Sequence, residues 1–318
     1  MSTGQTERAP VGVMDVGGSH VTAAVVDPAA PSARPFGREA GVPSTEQGAV
    51  IDPHAPRDVL LEQLTAPGRA VAAALDASGA QQLRGWAVAM PGPFDSAAGT
   101  GTFAGVDKFA AIAGVDLRGE FAKRLAVAPR DVRFCNDAVA YGIGEWAVGA
   151  GHRARRMICI TLGTGVGSAF LADGVEVDSG PHVPDHGEVH RLTIDDRPLE
   201  ETMSSPALRQ AFRDRTGRDA SVREVCALAR AGDTDARDVL RVALSAVGAA
   251  LAPWVRRFEA DTVVVGGSIA RSWDVVGVPF RSGLATCGAT TAVVAGGLGA
   301  RAPLVGAAVQ WERDARAG

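Results

Sequence analysis

Alternating apolar runs and glycine turns mark the start of the chain. In VGVMDVGGSHVTAAVVD, residues 11–27, two β-rich runs flank Gly-Gly, a pattern that predicts a hairpin. Residues 31–56 are rich in Pro, Gly and Ser and read as loop. Over 57–78 the apolar residues Val59, Leu60, Leu64, Val71 and Leu75 recur at helical spacing. GWAVAMPGP reads as a buried strand closed by Pro-Gly-Pro, and residues 100–118 as an irregular loop running into a helix near 116–126. RDVRFCNDAVAYGIGEWAVG then predicts a short strand to Cys135 and a helix opening at Asn136 or Asp137, both good N-cap types.

The second half repeats the opening. RMICITLGTGVGSAFLADG, 156–174, is again strand, glycine turn, strand, and this echo of 11–27 points to a duplicated architecture. Residues 175–206 are irregular and polar. A long helix is expected over about 235–258, with Leu240, Leu244, Val247, Leu251, Val255 and Phe258 on its apolar face. DTVVVGGSIA is another buried strand meeting a Gly-Gly turn. APLVGAAVQW reads as a small-residue helix suited to close packing, and RSWDVVGVPFRSG carries aromatics that fit either a surface or a core. Strands alternating with helices indicate α/β layers with covered sheets, and no Pro/Ser linker separates two halves.

Composition narrows the classes. At 318 residues, with 46% hydrophobic and 21% charged positions, the chain is long enough for two domains with proper cores. A net charge of -4 gives no nucleic-acid footprint. No apolar run approaches about 18 residues, so no membrane span is expected. MSTGQTERAP lacks a secretory core, which makes a cytoplasmic location the expectation. Cys135, Cys159, Cys226 and Cys287 are scattered and form no CxxC pair, so neither a disulfide framework nor a cysteine zinc site is indicated.

Three glycine turns, each after a buried strand, are the candidate chemistry: Asp15-Val16-Gly17-Gly18-Ser19, Leu162-Gly163-Thr164-Gly165 and Val265-Gly266-Gly267-Ser268. Glycine lets backbone N–H groups approach phosphate oxygens with no Cβ in the way. Ser19 and Thr164 add hydroxyls, and Asp15 is suited to hold a hydrated Mg2+. GTGVGS fails as a dinucleotide fingerprint, because β-like sequence follows where a helix should begin.

DVGGSHVTAAVVD, AMPGPFD, CNDAVAYGIGEW, TLGTGVGSAFLADG, GEVH, PLEETMSS, VVVGGSIA and LVGAA together resemble the ROK family of sugar kinases, in order, from residue 11 to about 308. The resemblance implies a two-lobed actin-like ATPase (ribonuclease H-like) α/β fold, each lobe a twisted mixed sheet with flanking helices, closing on ATP and a sugar. It implies a small lobe over 11–135 with the C-terminal helix, about 304–316, and a large lobe over 136–303. It also implies a homodimer, and phosphate or nucleotide contacts at Asp15, Gly17, Gly18, Ser19, Gly163, Thr164, Gly165, Gly266, Gly267 and Ser268. Family members that regulate transcription carry an N-terminal helix-turn-helix, and with about ten residues before the first strand none is expected here.

Asp137 falls at the family's catalytic aspartate, the general base that accepts the sugar hydroxyl's proton. A helix start is expected to keep its carboxylate ionised, and the plain alternative is that Asp137 only caps the helix. The resemblance gives Asn136, Pro91 and Gly92 to the sugar pocket. GEVH stands where the family shows Glu-x-Gly-His, which makes Glu188 and His190 sugar ligands, with a solvated loop or, with His182 and His186, a metal site as alternatives. Glu200 matches the late sugar-binding glutamate. The family's CxCGxxGC segment is replaced by RLTIDDRPLE, so structural zinc is not expected. The family's sugar-contacting Asn segment is replaced by AGVDKFAAIAGVDL, which puts Asp107 or Lys108 at that place. A carboxylate there favours an amino group on the substrate through a charge-assisted hydrogen bond, an amino-hexose such as kanosamine. Polyphosphate as donor, with Arg153, Arg155 and Arg156 as a basic cluster, and a non-catalytic sugar sensor are the competing readings.

Overall fold

The structure is a computed structural model and describes residues 9–31, 46–79, 82–105, 108–285 and 291–317. The chain forms two compact units, Met1–Val148 with Arg301–Gly318, and Gly149–Ala300.

Unit 1 is built on strands β1 (Val11–Val16), β2 (His20–Val26), β3 (Gln47–Val50), β4 (Trp86–Met90) and β5 (Val132–Asn136), in the order β3-β2-β1-β4-β5. The first three run antiparallel, and β4 and β5 lie parallel to β1. Alternation along β1 divides the core. Met14 and Val16 join the cluster beneath α1 (Arg57–Ala77) and α2 (Leu117–Leu125), with Leu60, Leu64, Trp86 and Phe121. Val11 and Val13 face the opposite way, onto Leu304, Ala308 and Trp311 of the C-terminal helix, Ala302–Ala317. Val59 is 49% exposed and so is not part of the apolar face assigned to α1.

The helix α3 (Asp137–Val148) belongs to unit 1, so the division falls after Val148 rather than at 135/136. The cause is a close helix pair that only glycine allows. A side chain at Gly306 would run into the carbonyl of Ala140, and one at Gly144 into that of Ala302.

Unit 2 repeats the plan. Strands β6 (Arg156–Leu162), β7 (Val166–Ala172), β8 (Val175–Glu176), β9 (Thr262–Gly266) and β10 (Ala292–Ala295) run in the order β8-β7-β6-β9-β10. Again an antiparallel hairpin leads into parallel neighbours. Helices α4 (Ser205–Thr216), α5 (Val222–Ala231), α6 (Thr234–Arg257) and α7 (Trp273–Ala285) complete it. By length and composition α6 is apolar enough to cross a membrane, which differs from the sequence reading. Its Leu240, Leu244, Val247 and Leu251 are fully buried in the unit's core, which accounts for the hydropathy. Phe258 is buried but caps α6 from outside it, edge-on to Phe170 at 5.2 Å. Phe280 is core, while Val278 beside it is 65% exposed.

Candidate active site

The sheet of unit 1 brings its candidate residues together. Register pairs Asp15 of β1 with Ala89 of β4, and Ala89 with Cys135 of β5. Asp15, Pro91, Asn136 and Asp137 therefore stand at the same ends of three neighbouring strands. Gly92 follows Pro91, and a Cβ on it would lie 3.9 Å from Asn136 Nδ2, so this loop and Asn136 share one wall.

Asn136, not Asp137, is the cap. Its Oδ1 accepts from the N–H groups of Ala138 at 2.9 Å and Val139 at 3.1 Å, the bonding expected of an N-cap side chain. Asp137 accepts from the adjacent Ala138 N–H, at 2.8 Å through Oδ1, and from its own N–H. These amides lower its pKa, but burial outweighs them and raises it to about 6. At about 6 the carboxyl is still ionised at neutral pH, as the helix start was expected to keep it, but burial makes it more basic than a free Asp. Asp15 is raised further, to about 7, first by burial and then by the charge of Asp137. Protein atoms hem in both carboxyls, although part of each residue still meets solvent.

The turn after Asp15 requires glycine, because two side chains lie against it. At Gly17 a Cβ would lie 2.6 Å from the His20 ring, and at Gly18 it would meet the Lys108 ammonium. Ser19 is exposed, and its carbonyl accepts from Ile51 N–H at 3.0 Å. Lys108, expected at the sugar, lies with its stem across Gly18. Asp107 falls outside the described residues.

In unit 2 the second and third turns meet. Gly163 N–H donates to Gly165 C=O at 3.0 Å, and Gly163 C=O accepts from Ser205 N–H at 2.7 Å and Ser205 Oγ at 2.9 Å. Ser205 was not singled out in the sequence, although it stands in PLEETMSS. Gly266 pairs with Thr161 of β6. Gly267 has φ +84°, and a Cβ there would lie 2.6 Å from Leu162 N, so glycine is required. Ser268 Oγ lies 3.5 Å from the Cβ position of Gly163, and Thr164 is exposed at the turn's tip.

Glu200 is tied to this turn. Its Oε1 accepts from Val166 N–H at 3.0 Å and occupies the space a side chain on Gly165 would take. With His190, Arg191, Pro198, Glu201 and Ser204 it lines a cavity of about 410 Å3. His190 Nε2 stands 3.8 Å from Glu188 Oε2, which also pairs with Arg191 Nε at 2.5 Å. His182 is occupied elsewhere, its Nδ1 lying 2.9 Å from Arg257 C=O. Among the described residues no group of three or more His, Cys, Asp and Glu is arranged to hold a metal ion. Of the basic cluster, Arg156 stacks on Phe258 and bonds its carbonyl, while Arg153 and Arg155 are exposed.

Two sheets of one plan, each opening on a glycine hairpin, with acidic residues at the strand ends, define an actin-like ATPase fold. The chain belongs to the ROK family, matched over residues 11–314. It is 27% identical to a glucokinase of Thermotoga maritima over 190 residues, 52% of this chain and 59% of that protein. The chain thus aligns with less than two thirds of that relative's length. Among solved structures, a ROK family glucokinase from Streptomyces griseus in complex with glucose and AMPPNP superposes with TM-score 0.73 at 23% identity, covering 98% of this chain and 100% of that one. A ROK family transcriptional regulator homologous to the E. coli MLC protein gives TM-score 0.77 at 19% identity, covering 96% and 79%.

Proposed function

We propose that the protein is a cytoplasmic sugar kinase that moves the γ-phosphoryl group of ATP to a hexose hydroxyl, O6 of a glucose-like or amino-hexose sugar. The observation that supports this most is the pairing of two part-buried carboxyls, Asp15 and Asp137, beside a turn whose Gly17 and Gly18 lie against His20 and Lys108. Asp137 takes the proton as the sugar oxygen attacks phosphorus, and the bond to the ADP oxygen breaks as the new P–O bond forms. A pKa near 6 leaves the carboxylate ionised at neutral pH yet basic enough to accept a proton. Asp15 fits Mg2+: burial and the neighbouring Asp137 make its charge costly, and this ion binds through one or two carboxylates, waters and phosphates. When bound, Mg2+ neutralises charge on the phosphates.

Asn136 has its Nδ2 left to donate to a sugar hydroxyl, beside Pro91 and Gly92. Glu188, His190 and Glu200 would hold further hydroxyls, and Asp107 an amino group. Gly163, Thr164, Gly165, Gly266, Gly267 and Ser268 would meet phosphates and adenosine. The fold likeness to a regulator supports a sensor as the second reading. It ranks below the first because Asp15, Asp137 and the glycine turns are all present. A coupled ADP-release assay with Mg-ATP across hexoses and aminohexoses tests the proposal. Turnover of one sugar is expected, and none on any sugar with any phosphate donor would refute it.

A further inference from the structure

The loop before α2 carries a lysine with no assigned partner at the phosphate end of unit 1. Lys108 crosses the face of Gly18 so closely that a Cβ there would lie 3.0 Å from its Cε and 3.1 Å from its Cδ. The ammonium reaches the same spot. Its base is anchored beside the first hairpin. Phe109 N–H donates to Pro53 C=O at 2.9 Å, just beyond β3, and the Phe109 ring is buried against Phe103 with centroids 5.4 Å apart. Ile51 in turn donates to Ser19 C=O in the turn itself at 3.0 Å. Among the described residues Lys108 has no ion pair or hydrogen bond. A compact cation is thus held over the glycine turn while its charge is left unpaired.

We infer that Lys108 binds the transferred phosphoryl group, as a point charge over the Gly17–Gly18 turn, rather than the sugar. An ammonium suits this role because it presents three rotatable donors and a full charge to phosphate oxygens. Charge on those oxygens must be neutralised for transfer, and the protein's task in such a reaction is positioning and electrostatics. The inference rests on the kinase reading for its catalytic meaning, but its binding test does not.

The test is calorimetric titration of wild type, Lys108→Met and Lys108→Arg with Mg-AMPPNP and Mg-ADP, alongside kinetics on the accepted sugar. Lys108→Met is expected to lose AMPPNP affinity ~10–100-fold, the loss of a charge-assisted contact, with ADP affinity unchanged. Its kcat should fall on the order of 10²-fold while KM for the sugar stays put, and Lys108→Arg should recover part of both losses. Equal AMPPNP affinity in wild type and Lys108→Met overturns the inference, as does a change confined to sugar KM. If wild type phosphorylates no sugar yet shows a Lys108-dependent preference for AMPPNP over ADP, the kinase reading fails and the phosphate contact stands. Unfolding of Lys108→Met is controlled by Lys108→Arg, which must keep the preference.

Discussion

Asp15 sits near the C-terminal end of β1 and Asp137 at the start of the helix that follows β5, separated by the single strand β4, and the charge of Asp137 raises the pKa of Asp15. Two carboxyls that repel each other in a partly dry site are an unfavourable arrangement for stability. The arrangement makes sense if a cation and a transferable proton are part of the working state.

The sign of the resulting pH dependence follows directly. Both carboxyls have folded-state pKa values, about 7 and about 6, above the 3.8 of an unperturbed Asp. Between pH 4 and 7 the folded protein therefore binds more protons than the unfolded chain, and stability falls as pH rises through this window. Asp15→Asn and Asp137→Asn should each gain roughly 1–3 kcal/mol at pH 8 without Mg2+, and the gain should vanish below pH 4. Urea unfolding at pH 4 and pH 8 measures it.

Gly306→Ala should be one of the most damaging methyl additions in unit 1. The new Cβ would strike the Ala140 carbonyl, and Gly144 N lies 2.7 Å away, so backbone rather than a flexible side chain has to yield. A loss of about 1–3 kcal/mol is expected, visible as a lower urea midpoint at an unchanged m-value.

Glu200 and Glu188 should separate kinetically. Glu200 Oε1 holds Val166 N–H at the second glycine turn, so Glu200→Ala should raise KM for both ATP and sugar. Glu188→Ala, remote from that hydrogen bond, should raise KM for the sugar alone. A change in the ATP constant for Glu188→Ala, and not for Glu200→Ala, would reverse the assignment.

Asp107→Ala tests substrate class. If its carboxylate holds an amino group, kcat/KM for the aminohexose should drop ~10-fold or more relative to glucose, the loss of a charge-assisted hydrogen bond. Unchanged discrimination would remove the case for an amino sugar.

Much of this fold was legible because its signals are local. The glycine hairpins at 16–20 and 162–166 and the buried strands around them follow from apolar runs and turn chemistry. Helices α4 and α5 were missed although Ser204 and the Ser221–Glu224 capping box mark their starts, because their apolar stripes are short in a polar stretch. The allegiance of α3 depends on Gly144 meeting a helix at the far end of the chain, which no local pattern reports. At the site, residue types pointed to Asn136 and Asp137 together, and only hydrogen-bond geometry separated cap from candidate base. The reach of Lys108 to Gly18 is likewise a contact between distant segments.

The most direct test of the account is Asp137→Asn in the ADP-release assay on the best sugar at pH 7.5. Asn keeps the side chain's size and its bond from Ala138 N–H but cannot accept the proton. The account predicts a kcat at least ~100-fold below wild type, as for loss of a general base, with AMPPNP binding intact. A variant that turns over at the wild-type rate would contradict it, and Asp137 would then be only a residue at the start of a helix.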